Sequence, residues 1–167
     1  MKIRSYIQRD LAPLTELTIE TFGPFYEGSF RLVVGETVFA NQHGDWRNDY
    51  RKQLSNLYDP GNNKFVAVAE IDDSIVGYVA WNVDLQRSQG AIDIVAVSVK
   101  HRGQHTGTAL CEHAFADMKL RGVEVVTIGT GGDPFHAPAR ALYESLGCTH
   151  FPVAVYYKQL QPHSVGA

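Results

Sequence analysis

Several classes of protein are excluded by what this chain has little of. Cysteine occurs twice in 167 residues, at Cys111 and Cys148, and these positions do not have metal-ligand spacing. The pattern is typical of reduced, buried thiols rather than of a disulfide framework or a zinc site. No window approaches the roughly 18 apolar residues of a membrane-spanning helix. The first ten residues also lack the apolar run of a signal peptide. We expect a cytoplasmic protein with no metal and no membrane partner.

Positive charge is also scarce. The 15 Lys and Arg residues are outnumbered by 18 Asp and Glu residues, which gives a net charge of -3. Broad nucleic-acid binding requires a basic surface, so we expect no nucleic-acid partner. A mildly acidic chain instead suits a cationic small-molecule substrate. The 44% hydrophobic content and the length indicate one domain over residues 1–160, followed by a tail over residues 161–167.

Hydrophobic periodicity predicts the element order β-α-α-β-β-β-α-β-α-β, in which a hairpin meander leads into a β-α-β unit. This order indicates an α/β (α+β) fold with a mixed, mostly antiparallel sheet of six or seven strands flanked by helices. The apolar run at 123–128 predicts a buried central strand, whereas residues 25–45 have no clear period. The predicted strands are 2–7, 65–71, 75–84, 91–99, 123–128 and one or two within 150–160; the predicted helices are 10–22, 45–58, 105–121 and 137–146.

The most informative stretch is the turn between the strand at 91–99 and the helix at 105–121. It contains Arg102, Gly103 and Gly107, and it precedes a helix N-terminus whose free N–H groups and dipole favour an anion. Glycine lets the backbone come close to a phosphate, and Arg102 adds a fixed charge. The turn has neither the P-loop pattern nor the G-x-G-x-x-G pattern of dinucleotide domains. On this stretch alone, a pyrophosphate site and a plain turn with packing glycines remain equally open.

This turn resembles the coenzyme A motif of the GCN5-related N-acetyltransferase (GNAT) superfamily, in which a strand is followed by Arg/Gln-x-x-Gly-x-Gly/Ala and a helix. Arg102 takes the first position and Gly107 the last, while His105 stands where the family has glycine. A second segment resembles the family pattern Asn-x-x-Ala-x-x-Leu-Tyr-x-x-x-Gly, with His136 at the asparagine position. The residues that match this pattern are Ala139, Leu142, Tyr143 and Gly147. The two segments occur in the family's order, with one helix and one strand between them.

The resemblance implies that acetyl-CoA is the cosubstrate and that no metal takes part. It places the backbone of Val97 and Val99 against the pantetheine arm and the thioester carbonyl, and it makes Tyr143 the acid that protonates the departing thiolate. On its spacing alone, Tyr143 would be a core tyrosine on a helix face. The other residues implied for coenzyme A binding are Arg102, Gly103, Gln104, His105, Thr106, Gly107, Thr108, His136 and Ala139.

Asp93 is the candidate for the general base that removes the amine proton. It is an acid in a strand otherwise made of Ala, Ile, Val and Ser, and a period of two places it on the face of Val95, Val97 and Val99. A carboxylate there is unfavourable unless it faces a wet cleft, where it can take a proton directly or through water. The GNAT family often carries an acidic residue at this place. A strand-end aspartate held by backbone donors is the alternative.

Acids and aromatic residues gather in the early helices and mark the predicted acceptor pocket. This mixture suits an amine through cation–π contacts and ion pairs, with core aromatics and solvated acids as the alternative. Asp133 follows the strand at 123–128, where it contacts the substrate, caps the next helix or does both. The predicted substrate-binding residues are Glu20, Phe25, Tyr26, Glu27, Trp46, Asp93 and Asp133.

Together these observations predict transfer of an acetyl group to a primary amine by direct attack in a ternary complex. No covalent intermediate is expected, because the sequence shows no convincing nucleophile dyad. A small polycation such as an aminoglycoside antibiotic is the leading substrate hypothesis. A peptide or protein amine and a non-catalytic acyl-CoA sensor are the alternatives, and the resemblance also implies a homodimer.

Overall fold

One open sheet of five strands forms the centre of the computed structural model, which describes residues 1–161. The strands follow the order of the chain; β1 to β4 pair antiparallel, and β5 pairs parallel to β4. The α/β fold with a mixed, mostly antiparallel sheet is confirmed, but the predicted count of six or seven strands is wrong for the described residues. The strands are β1 (Lys2–Ser5), β2 (Lys64–Ile71), β3 (Ser74–Asp84), β4 (Gln89–Val97) and β5 (Val125–Ile128).

The helices before β2 are more numerous than the sequence predicts, four instead of two. The first helix continues through a π-helical segment, Phe25–Phe30, into the second, so most of residues 25–45 are helical. Pro24 is compatible with this path because its φ of -60° is helical. The helices of the described residues are α1 (Leu11–Pro24), α2 (Arg31–Val34), α3 (Glu36–His43), α4 (Trp46–Ser55), α5 (Thr106–Leu120) and α6 (Ala137–Ser145).

The strand predicted within 150–160 is not formed in the described residues. Residues 149–161 have no regular structure, and Phe151 is 84% exposed although the sequence alternates as a strand does. No strand of residues 1–161 lies alongside to pair with this segment; instead, the Tyr157 ring lies 5.6 Å from the Phe30 ring. β5 is consequently an edge strand with Val125 62% exposed, which corrects the prediction of a buried central strand. Residues 162–167 of the predicted tail lie outside the described residues.

Two hydrophobic clusters cover the two faces of the sheet. Leu14 of α1 and Leu54 of α4 belong to one cluster, and Leu110 and Met118 of α5 belong to the other. A 3.6-residue period places such side chains along one stripe of each helix. Each such side chain contributes on the order of 1.5–3 kcal/mol when it is buried. Among the helices of residues 1–161, none combines the length and the apolar content of a membrane-spanning segment.

A buried pair of hydroxyl groups joins α1 to the middle of the sheet. Thr18 and Tyr78 are both 0% exposed, and their oxygens lie 2.5 Å apart. The Thr18 hydroxyl also lies 2.6 Å from the Leu14 carbonyl oxygen. Thr18 has a single hydroxyl proton, which it donates to Leu14, so the Tyr78 O–H donates to Thr18. Burial raises the pKa of Tyr78 above its usual range, which keeps this phenol protonated.

We expect the two partners of this hydrogen bond to differ in their effect on stability. Thr18→Val leaves the buried Tyr78 O–H without an acceptor, so the free energy of unfolding falls by about 1–3 kcal/mol. Tyr78→Phe leaves Thr18 bonded to Leu14 and lowers the same quantity by only about 0.5–1.5 kcal/mol. Urea unfolding of the two variants shows which one loses more free energy of unfolding. A larger loss for Tyr78→Phe would contradict the assignment of donor and acceptor.

Candidate functional site

Strands β4 and β5 separate part-way along their length. They pair only as far as Ile92 and Ile128, and β4 then continues to Val97. The backbone N–H and C=O groups on this edge of β4 therefore have no strand partner among the described residues. An open strand edge of this kind can pair with an extended ligand.

A cavity of about 520 Å³ lies at this open edge. Its volume is within the range of small-molecule sites, roughly 300–1,000 Å³. Parts of α1, β4, the β4–α5 turn and α6 form its wall, so segments that are distant in the sequence meet there. The fold thereby gathers the residues of both sequence segments that resemble the GNAT pattern.

The N-terminus of α5 supplies free hydrogen-bond donors to the cavity. The first helical bond ends on the His105 carbonyl oxygen, and no side chain caps the helix. The N–H groups of Thr106, Gly107 and Thr108 are therefore available to an anion. Arg102 lines the same cavity, and its guanidinium adds positive charge to the dipole of the helix.

Gly107 and Leu142 bring the two GNAT-like segments into contact. A Cβ atom built at Gly107 would lie 3.1 Å from Leu142 Cδ2, which is tighter than an ordinary van der Waals contact. Glycine therefore leaves the room that α6 needs to approach the first turn of α5.

The hydroxyl groups of Tyr143 and Thr21 are among those of the cavity wall. Burial, followed by smaller effects of the thiols of Cys111 and Cys148, raises the pKa of Tyr143 to about 12. The phenol is therefore protonated at neutral pH and can act as a donor. Thr21 is 7% exposed, and its oxygen has no hydrogen-bond partner within residues 1–161. An unpaired buried hydroxyl is unusual and is compatible with a ligand contact.

Most of the residues predicted to bind coenzyme A lie around the cavity. They are Val97, Arg102, Gly103, His105, Thr106, Gly107, Thr108, His136, Ala139 and Tyr143. Val99 does not line it, because β4 ends at Val97 and Val99 lies in a 3₁₀ turn, largely exposed. Gln104 is also outside the lining, and its Nε2 donates to the Lys100 carbonyl oxygen.

The sequence analysis missed several lining residues. A period of two places Val95 on the face of Val97, so this signal could have added Val95 to the site. Thr21 carries no local signal, because only the tertiary packing brings α1 to the cavity. Phe22, which also lines the cavity, is one of the early-helix aromatic residues from which the acceptor pocket was predicted. The missed residues are Thr21, Val95, His101, Phe135, Pro138, Ala141, Leu142 and Ser145. Within the described part of the chain, no three His, Cys, Asp or Glu side chains are grouped as metal ligands.

Asp93 lies on the opposite face of β4 from the one predicted. The register between β3 and β4 shifts between Ala80 and Trp81, which makes Asp93 the extra residue of a β-bulge. The bulge interrupts the two-residue period, so Asp93 does not share the face of Val97. Both Asp93 oxygens instead accept hydrogen bonds from Asn82 Nδ2, at 2.8 and 3.0 Å. Asp93 is exposed and is not part of the cavity lining, and its role as the base stays a prediction.

The residues of the predicted acceptor pocket are mostly engaged with one another. Trp46 is 2% exposed, stacks on Tyr26 with 4.9 Å between ring centroids, and donates its Nε1–H to Glu27. Glu27 also forms ion pairs with Arg31 at 2.7 Å and with Arg47 at 3.3 Å. The hydrogen bonds from Trp46 and Arg31 hold the pKa of Glu27 below its usual range. Its negative charge is thus already balanced by neighbouring cations.

Phe25 and Asp133 lie behind the cavity wall rather than in it. The centroid of the Phe25 ring is 5.6 Å from that of Phe135 and 4.7 Å from that of His136, and both of these residues line the cavity. Asp133 accepts hydrogen bonds from the backbone N–H groups of Phe135 and His136, which confirms the capping alternative for this residue. Glu20 is exposed on α1 and lies outside the lining.

Comparison with known proteins agrees with this geometry. The sequence profile described as "Acetyltransferase (GNAT) family" matches residues 29–148. The chain belongs to the GNAT acetyltransferase family, and the resemblance carried by residues 102–107 and 136–147 is confirmed.

Particular relatives differ in length and in name. Mycothiol acetyltransferase of Thermomonospora curvata is 30% identical over 151 residues, which are 88% of this chain and 49% of that protein. The chain thus spans about half the length of the curated relatives it matches. An aminoglycoside acetyltransferase from an uncultured soil metagenomic sample, solved in complex with sisomicin, has a TM-score of 0.62 at 21% identity over 96% of each chain. PaiA N-acetyltransferase from Thermoplasma acidophilum, solved with coenzyme A, has a TM-score of 0.63 at 16% identity over 87% of each chain. These two structures share the fold, whereas the homodimer and the cytoplasmic location stay predictions.

His105 occupies a backbone conformation that favours glycine. Its φ of 61° and ψ of 11° are left-handed, immediately before α5. This conformation is less favourable for a residue with a Cβ atom by about 1–2 kcal/mol. Glycine at this place in the family pattern is therefore explained by the backbone.

We expect His105→Gly to leave the free energy of unfolding unchanged or to raise it by up to about 1 kcal/mol, because relief of strain offsets the added backbone entropy. His105→Val, which is β-branched, should lower it by about 1–2 kcal/mol. Urea unfolding measures both. If the His105 side chain also contacts a phosphate, His105→Gly weakens coenzyme A binding without loss of stability. Equal stability of the two variants would contradict the left-handed conformation.

Proposed function

We propose that the chain transfers the acetyl group of acetyl-CoA to a primary amine of a small molecule. The supporting observation is one cavity that joins the free N–H groups of α5, the open edge of β4 and the protonated phenol of Tyr143. Acetyl-CoA supplies a thioester whose carbonyl carbon accepts a nucleophile, at the end of an arm that begins at a diphosphate. The cavity offers a matching group for each of these parts.

Each part of the cavity has one task in this proposal. The N–H groups at the start of α5, together with Arg102, hold the diphosphate. The backbone groups on the open edge of β4 beside Val95 and Val97 bond the amides of the arm. Among them, the Val97 carbonyl oxygen also accepts a hydrogen bond from Arg102 Nε at 3.2 Å. The amine nitrogen attacks the thioester carbonyl carbon, the C–S bond breaks, and the phenol proton of Tyr143 moves to the sulfur.

The part of the cavity assigned to the acceptor is aromatic rather than acidic. Thr21 and Phe22 contribute from α1, and Phe135 and His136 contribute from the turn before α6. Of the carboxylates predicted to attract a polycation, Glu27 is already paired with two arginines. We therefore favour an acceptor whose primary amine lies beside an aromatic or apolar group over a polycation such as an aminoglycoside.

Release of free thiol from acetyl-CoA, measured with a panel of amines, tests this proposal. The panel contains phenethylamine, the polycations spermidine and sisomicin, and alanyl-alanine as a peptide amine. The highest kcat/KM is expected for phenethylamine. A preference for sisomicin or spermidine would support the polycation hypothesis instead, and a preference for the dipeptide would support the peptide alternative. A thermal shift with coenzyme A but no thiol release with any amine would contradict catalysis and indicate an acyl-CoA sensor.

Tyr143→Phe is expected to lower kcat by about 10²-fold or more, because a proton donor in the transition state typically contributes about 10²–10⁴-fold. The KM for acetyl-CoA should change little, since the ring keeps its packing. Tyr156→Phe is the matched control, because Tyr156 is 91% exposed and lies outside the cavity lining. Thiol release at saturating acetyl-CoA measures both variants. Full kcat in Tyr143→Phe would remove Tyr143 from the mechanism.

A further inference from the structure

His136 and Asp133 form a hydrogen-bonded pair at the rim of the cavity. His136 Nδ1 lies 2.6 Å from Asp133 Oδ2, while Asp133 Oδ1 accepts from the backbone N–H groups of Phe135 and His136. Arg140 Nη1 donates to the carbonyl oxygens of Gly131 and Asp133, which fixes the turn from its other side. The carboxylate is thus held in one position relative to the imidazole ring.

The space around this pair allows no side chain at Gly131. A Cβ atom there would overlap both Asp133 Oδ2 and His136 Nδ1, so glycine is required for the carboxylate and the ring to meet. The ring is also held by aromatic contacts, since its centroid is 4.7 Å from that of Phe25 and 5.0 Å from that of Phe135. Its orientation is therefore determined by packing as well as by the hydrogen bond.

The protonation of the pair follows from the hydrogen bond. Burial raises the pKa of Asp133. The hydrogen bond from His136, the charge of His136 and the backbone donors together lower this pKa by more than burial raises it, so the net shift is downward. Asp133 is consequently ionised at neutral pH and can only accept. The proton of a neutral His136 ring therefore resides on Nδ1, and Nε2 keeps its lone pair.

Three imidazoles, those of His101, His105 and His136, line the same cavity as Tyr143. Within residues 1–161, His136 is the one of these three that is paired with a carboxylate, that of Asp133, which lies outside the lining. Within residues 1–161, Arg140 is the charged side chain bonded to this turn, where its guanidinium donates to two carbonyl oxygens. Asp93, the base predicted from the sequence, has both oxygens bonded to Asn82 and lies outside the cavity lining.

We propose that His136, oriented by Asp133, is the general base that takes the proton from the acceptor amine; this assignment rests on the proposed function. The amine N–H proton moves to His136 Nε2, and the nitrogen electron pair forms the bond to the thioester carbonyl carbon. The C–S bond breaks, and its electron pair leaves on the sulfur, which takes the phenol proton of Tyr143. His136 then loses its proton to water, and Tyr143 regains one. Asp133 is a positioning residue that also stabilises the imidazolium.

His136→Gln tests the base directly. We expect kcat with the best amine of the panel to fall by about 10²–10⁴-fold, the usual contribution of a general base, while the KM for acetyl-CoA changes little. Coenzyme A should still raise the melting temperature, which shows that the fold and the cofactor site are intact. His150→Gln is the matched control. His150 faces Glu144 at 3.9 Å, is exposed, and lies outside the cavity lining, so this variant should keep wild-type kcat.

Two further measurements separate a base from a structural residue. In the wild type, kcat at saturating amine should rise with pH along a single acid limb, and this limb should be absent in His136→Gln. In Asp133→Asn, which retains a capping side chain, kcat should fall while coenzyme A still raises the melting temperature, because the ring loses the carboxylate that orients it. Added imidazole should restore part of kcat in His136→Ala and none in Tyr143→Phe.

The outcomes distinguish this inference from the proposed function. Thiol release by the wild type together with unchanged kcat and pH profile in His136→Gln would overturn the inference and leave the proposed function standing. In that case, a large loss in Asp93→Asn would assign the base to Asp93. No thiol release by the wild type with any amine would overturn the proposed function, and the inference with it.

Discussion

Parallel pairing between β4 and β5 stops at Ile92 and Ile128, and the geometry around the cavity depends on this limit. If pairing continued to Val97, β5 would extend into the space where the cavity lies. Instead, the chain leaves β5 through a glycine-rich turn at 129–132 and returns as α6 on the far side of the gap. The unpaired half of β4 is thereby kept open as a surface of backbone donors and acceptors. Unpaired backbone groups are unfavourable when water is excluded, and the proposed ligand, which carries amide groups of its own, would satisfy them.

Local patterns were sufficient to predict the elements that carry the consecutive residues of the site, whereas the assignment of these residues to coenzyme A rested on the resemblance to the GNAT family. The strand, turn and helix around residues 99–110 and the face of α6 that carries Tyr143 depend on short-range periodicity and on helix geometry, so the sequence contains the information. The mixed sheet was predicted for the same reason, because a hairpin meander followed by a β-α-β unit permits few arrangements. Features set by pairing between distant strands were not predictable. The bulge at Asp93 depends on the register with β3, and the alternating segment after Cys148 has a strand pattern but no strand to pair with in the described residues.

The partners of charged side chains were also only partly predictable from the sequence. Glu27 looks like a free acid near aromatic residues in the sequence, and its pair with Arg31 could have been inferred from their spacing of four residues on a helix. Its bonds to Arg47 and Trp46 depend on how two helices pack, and these bonds change it from a candidate substrate contact into a structural group. Asp133 shows the converse case. The sequence suggests a cap or a substrate contact, and the structure shows a cap that is simultaneously bonded to an imidazole ring of the cavity wall.

The contact between Gly107 and Leu142 couples two segments that a sequence comparison would treat separately. A Cβ atom at position 107 requires the end of the Leu142 side chain to move by a few tenths of an ångström, so the approach of α6 to α5 depends on both positions although neither residue carries chemistry. In a chimaera that takes α5 from one relative and α6 from another, the two sides of this contact come from different proteins, so exchanges that move both segments together are expected to preserve it best.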